Sequence, residues 1–72
     1  MPRISHPEHI GALLASRRKA LGLSQTDVGK RIALSQNRVS ELESLPGTLT
    51  VVQLLKLLDV LGLELQVDVP AL

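Results

Sequence analysis

Five polar side chains occupy residues 36–41: Gln36, Asn37, Arg38, Ser40 and Glu41. These are types that pair with base edges in a duplex. Gln and Asn can bond adenine bidentately, Arg can do so with guanine, and Glu can accept from cytosine. Any solvated helix could carry the same set, so side-chain type alone does not decide the role. Position decides it, and position depends on the flanking elements.

Other chemistry is thinly provided for. With no cysteine there is neither a disulfide nor a thiolate metal site. His6 and His9 could share a helix face, but no third or fourth ligand lies nearby, so they read as solvated residues at a helix start and no metal is expected. Gly29 and Gly47 are isolated rather than part of a phosphate loop, and no His–carboxylate pair stands out, so neither an enzyme nor a cofactor is expected. The absence of Phe, Tyr and Trp removes the aromatic stacking on which single-strand and RNA-binding modules rely. It also leaves the core to Leu, Val and Ile.

The elements follow from caps and periodicity. Pro7 suits a first helical turn, with Ser5 or His6 before it as cap. Ile10, Leu13, Leu14 and Leu21 recur near helical spacing, Arg17, Arg18 and Lys19 supply a positive end, and Gly22 stops the helix. Ser24 caps a second helix, with Asp27 in the acidic position of a capping box and Val28 and Ile32 along one edge. Ala33-Leu34 forms a very short joint before Ser35, which caps a third helix with Val39 and Leu42 inward. Residues 44–48 carry turn chemistry; Thr50 then caps a fourth helix through Leu61, ended by Gly62.

Residues 63–69 alternate apolar and polar without a fault, the pattern of a half-buried strand, closed by Pro70. No second strand candidate exists in the chain. The simplest partner is the same strand of a second copy across a two-fold axis, the alternative being a tail folded back on its own helices. The fourth helix points the same way. Gln53, Lys56 and Asp59 form one narrow polar stripe and apolar residues cover the rest, so the helix needs two surfaces to bury against. Leu58, Leu61, Leu63, Leu65, Val67 and Val69 are the expected dimer residues. A chain of 72 residues supports only a marginal core, which also favours a dimer.

Net charge is +1, but residues 1–40 hold seven of the eight Lys/Arg and two of the seven Asp/Glu. A basic half could face a polyanion while the acidic half faces something else; a solvated charge pattern is the alternative. The N-terminus shows no apolar run of signal-peptide length, and the apolar stretch at 49–63 is interrupted and too short to span a bilayer. A cytoplasmic location and no membrane partner are expected.

Two capped short helices around a tight joint make a helix-turn-helix over about residues 24–43. From Leu23-Ser24-Gln25 through Leu34-Ser35-Gln36 to Val39-Ser40-Glu41-Leu42-Glu43, the sequence resembles the Xre/phage-repressor-type helix-turn-helix family. The resemblance spans roughly residues 6–61. The continuation over 49–69 is similar to the HipB-type antitoxins, which dimerise through such a strand, repress their own operon and bind a HipA-type kinase toxin. Two positions depart from the family pattern: Gly29 stands where Ala is usual, and Ala33 where Gly is usual. Ala33 must therefore take a conformation that Gly takes more easily.

These readings together imply a mostly α fold: a lambda-repressor-like domain of four to five helices over residues 1–62, and a dimerisation strand and tail over 63–72. A recognition helix enters the major groove N-terminus first, so its early turns reach base edges, here Gln36, Asn37, Arg38, Ser40 and Glu41. The resemblance implies phosphate contacts from Gln25 and Ser35, and an approach of the Gln25 side chain to that of Gln36. Arg18, Lys30 and Arg31 are further phosphate candidates, with a solvated role for some of them the alternative. The expected function is a bacterial double-stranded-DNA-binding repressor, working as a homodimer on operator DNA and as the antitoxin of a HipA-like kinase toxin. The alternative is a stand-alone regulator without a toxin. The chain leaves no room for a sensor domain, so no small-molecule ligand is expected.

Overall fold

A computed structural model describes residues 3–70. Four α-helices follow in order: α1 (Pro7–Ala20), α2 (Gln25–Ile32), α3 (Gln36–Ser44) and α4 (Val51–Val60), with a 3-10 turn at Pro46–Thr48 before the last. The expectation of a mostly α fold with four to five helices therefore holds.

The punctuation read from the sequence acts through named bonds. Gly22 and Gly62 take positive φ, 71° and 68°, just past the ends of α1 and α4. At α1 the Gly22 N–H donates to the Lys19 carbonyl (3.0 Å) and the Leu23 N–H to that of Arg18 (3.1 Å). The same pair recurs at α4, from Gly62 to Asp59 (3.1 Å) and from Leu63 to Leu58 (2.8 Å). Both ends thus satisfy carbonyls that the helix leaves open. His6 occupies the cap position of α1 without bonding through its side chain. Its ring stands edge-on to that of His9 at 5.1 Å, and the His9 Nδ1 accepts from the Ser5 N–H (3.1 Å).

Leu14, Val28, Val39, Leu42, Leu57, Leu58 and Leu61 form the core, and each of the four helices or its C-cap contributes to it. Burying a Leu or Val contributes about 1.5–3 kcal/mol, so this one cluster is a main source of the fold's stability. Arg17 ties α1 to the end of α4, its Nε donating to the Leu61 carbonyl at 2.9 Å. A cation there also complements the negative end of the helix.

Two expectations for the C-terminal half need correction. Leu58 and Leu61, expected at a dimer face, are 6% and 1% exposed and belong to the core of the single chain. The inner face of α4 closes over α2 and needs both. The helix instead exposes Val51, Val52 and Leu55. Among the described residues no segment is paired as a strand, and residues 63–70 leave α4 without a ladder partner. A ladder needs a second run of backbone donors and acceptors, and none lies beside this segment among the described residues. Leu63 packs partly against the core, whereas Leu65, Val67 and Val69 are 59%, 87% and 93% exposed. The outer ends of the two expected segments, 1–2 and 71–72, lie outside the described residues.

The joint between α2 and α3 is as tight as the sequence requires. Ala33 adopts φ 59°, ψ 40°, the left-handed conformation anticipated for it. The chain then doubles back on α2: the Leu34 N–H donates to the Gly29 carbonyl at 2.9 Å. A Cβ at Gly29 would collide with the Leu34 carbonyl oxygen and press on Val39 Cγ2 at 3.4 Å, so glycine admits the close turn. A left-handed non-glycine residue costs about 1–2 kcal/mol, of which glycine's greater chain entropy would return only part. Ala33→Gly should therefore stabilise the protein by up to about 1 kcal/mol, read as a higher urea midpoint at unchanged slope. A lower midpoint would mean that the joint is not strained.

Candidate nucleic-acid interface

Two serines set the starts of α2 and α3. Ser24 Oγ accepts from the Asp27 N–H (3.0 Å) while the Asp27 carboxylate accepts from the Ser24 N–H (2.9 Å), a complete capping box. The bond to the Ser24 backbone, followed by that to its side chain, holds the Asp27 carboxyl below its ordinary range. Ser35 Oγ accepts from the Arg38 N–H at 3.1 Å. Its own hydroxyl hydrogen remains available to a phosphate at the same helix start.

With both helix starts fixed, Gln25 and Gln36 come together. Gln36 Nε2 donates to Gln25 Oε1 at 2.6 Å, the approach anticipated for the pair. Behind them lies a residue that periodicity did not flag. Gln25 Nε2 donates to Glu43 Oε1 (3.1 Å), and Glu43 is held by Arg18, from Nε to Oε2 at 2.7 Å and from Nη2 to Oε1 at 3.0 Å. The remaining Arg18 nitrogen, Nη1, donates to the Leu23 carbonyl at 3.0 Å. Arg18, expected at a phosphate, is instead turned inward and only 9% exposed. It lies four residues after Leu14 and seven after Gly11, on the buried stripe of α1, where a guanidinium must find internal acceptors.

This ion pair governs the local electrostatics. Burial pushes the Glu43 carboxyl up, but the hydrogen bonds from Arg18 and Gln25 and the charges of Arg18 and Lys19 outweigh it, leaving it below the usual range. Reciprocally, the bond to Glu43 raises the Arg18 guanidinium against the opposing cost of burial. Both groups are charged at neutral pH.

The other candidate residues separate into groups. Asn37 is exposed beside Gln36, and Ser40 is half-buried one turn on. Arg38 and Glu41 pair with each other, and Arg38 also reaches the Thr48 Oγ1 and carbonyl (3.4 Å each) and Gln53 Oε1 (3.5 Å). It therefore lies along the flank of α3 facing the start of α4. Lys30 and Arg31 are exposed in the last turn of α2, about 9 Å along the axis from Gln25. With Ala33, Lys56 and Asp59 they line a shallow cleft of their own, away from the glutamine pair.

The arrangement is two helix starts side by side, with exposed amides at the second and a bonded amide pair joining them. A helix-turn-helix family model matches residues 14–67, three-quarters of the chain. The chain belongs to the helix-turn-helix family. It is thereby a DNA-binding domain of the kind found in transcriptional regulators, an Xre-like family that is generally not enzymatic. No curated protein matches the chain significantly. None of its described helices is long and apolar enough to cross a membrane.

Proposed function

We propose that this helix-turn-helix domain is a sequence-specific repressor that binds double-stranded operator DNA as a homodimer. The observation that carries the reading is the Gln36–Gln25 hydrogen bond at the adjoining starts of α3 and α2. It presents an amide at the leading end of the third helix, supported from the second. In this reading α3 enters the major groove N-terminus first, and Gln36 and Asn37 meet base edges, with Ser40 and the Arg38–Glu41 pair behind them. Gln25, Ser35 and the exposed Lys30 and Arg31 contact phosphates. The dimer surface draws on the exposed Val51, Val52 and Leu55 of α4 and on Leu65, Val67 and Val69, whose apolar exposure calls for cover. A two-fold dimer would read an inverted repeat with half-sites about 34 Å apart or a multiple of that spacing.

The experiment is binding-site selection followed by titration of one substitution. Gln36→Ala should weaken binding to the selected operator by about 1–3 kcal/mol and leave binding to random DNA nearly intact. Equal loss on both would show that Gln36 is not a base reader. The similarity of residues 49–69 to HipB-type antitoxins supports a further role as partner of a HipA-type kinase toxin. An adjoining kinase-like reading frame would support that role, and an unrelated neighbour would leave a stand-alone regulator.

A further inference from the structure

The bonds behind Gln36 run in one direction only, and that direction has a consequence for base choice. An ionised carboxylate accepts hydrogen bonds and donates none. Glu43 already takes two from Arg18, so the Gln25 amide can meet it only through Nε2. The Gln25 carbonyl oxygen is then turned outward, where it can only accept. Gln36 must therefore spend one Nε2 hydrogen on Gln25, at 2.6 Å. What it has left is its other Nε2 hydrogen and its Oε1, in a fixed spatial order. Reversing Gln25 would set its carbonyl against the carboxylate and leave the Gln36 amide nitrogen facing the Gln25 amide nitrogen, two repulsive contacts in place of two bonds.

We propose that Glu43, largely covered beside Arg18 and without reaching the DNA itself, is a positioning residue that sets through Gln25 which way round the Gln36 amide faces a base pair. The donor and acceptor that remain on Gln36 match the N7 acceptor and N6 donor of adenine in one orientation of the base pair. A freely rotating glutamine could offer them in either order, or both hydrogens to the two acceptors of guanine. The carboxylate thus turns a tolerant side chain into a selective one. This inference rests on Gln36 being a base reader.

The test removes the carboxylate while sparing the glutamines. In Arg18→Met/Glu43→Leu, apolar residues of similar size replace both buried charges, an exchange that interiors often tolerate. Gln25 and Gln36 can still bond each other, but their direction is no longer imposed. The variant should keep its affinity for random DNA, while its preference for the selected base pair under Gln36 falls about tenfold. An undiminished preference would overturn the proposal. Should that variant fail to fold, Gln25→Met supplies the second measurement, made on the free protein. By ¹⁵N relaxation the Gln36 side-chain amide should be ordered in the wild type and drop below an order parameter of about 0.6 in Gln25→Met. A Gln36 amide equally mobile in both proteins would also overturn the proposal. Gln36→Ala separates the two failures. If it changes no base preference, the base-reader assignment falls; if it does while the double variant keeps full preference, only the role of Glu43 falls.

Discussion

Arg18→Ala should remove about half of the protein's stability at neutral pH. Removing one partner of a buried ion pair costs about 3–5 kcal/mol, because the survivor stays charged without compensation. A chain this short has roughly 4–10 kcal/mol of stability in total. In the native protein the Arg18 and Glu43 side chains are each 11% exposed. Without the guanidinium, Glu43 would retain one donor, Gln25, and the Leu23 carbonyl would lose the bond it accepts from Arg18. The pH dependence tests the cause. The folded-state Glu43 carboxyl now lies below its unfolded value, so its stabilisation is present above the unfolded pKa of about 4.3 and is lost as pH falls through the folded one. In Arg18→Ala the effect of burial would no longer be outweighed, the folded pKa would rise above the unfolded one, and acid would favour the folded variant. Urea melts should therefore show a large wild-type advantage at pH about 7 that narrows towards pH about 4. Asp27 titrates alike in both proteins and cancels. A constant gap across that range would mean that Arg18 acts through packing alone.

How far the sequence revealed this arrangement varies by element. Ser24, Ser35, Thr50, Gly22 and Gly62 act locally, through bonds within a few residues, and each punctuates its helix as its type suggests. Ala33 was legible through the family resemblance, because it stands where Gly is usual. Residues whose roles depend on distant partners were misread. Arg18 sits beside Arg17 and Lys19, and the basic run suggested a positive helix end with Arg18 at a phosphate. Its spacing from Gly11 and Leu14 nevertheless marks the buried stripe, and a cation there implies an internal acid. Glu43 is that acid, four residues after Val39 and so on the inner side of α3, but no local pattern links it to a residue 25 positions earlier. The apolar pattern of α4 suggested two surfaces to bury against but could not say which residues belong to the core of the single chain. Leu58 and Leu61 went to the core, leaving Val51, Val52 and Leu55 outside. The alternation at 63–69 is a strand pattern, but among the described residues no second strand pairs with it, so the ladder bonds that would make it a strand are not formed.

Gly11→Val should be strongly destabilising although it changes no charge. Gly11 lies mid-helix in α1, where glycine costs about 1 kcal/mol relative to alanine. The structure shows what offsets that cost. A Cβ there would fall inside the van der Waals surface of the Glu43 carbonyl oxygen and lie 3.1 Å from Pro46 Cγ. Neither neighbour can swing away as the end of a long side chain could. One is backbone at the end of α3, and the other is a ring that opens the following 3-10 turn. Valine must force α1 and α3 apart or bend the chain, and overpacking of this kind costs about 1–3 kcal/mol or more. We expect about 3 kcal/mol, a drop in melting temperature of roughly 12–24 °C for a domain of this size. Gly47→Ala is the matched comparison. No atom lies within 4 Å of the added Cβ and its φ is not positive, so the change should stay within about 0.5 kcal/mol. The damage at Gly11 also has a direction. The backbone it displaces is that of Glu43, so a partly destabilised Gly11→Ala protein should lose base preference in advance of its fold. Melting and operator selection on Gly11→Ala, with Gly47→Ala beside it, would check both parts. A wild-type melting temperature for Gly11→Val would refute the close crossing itself.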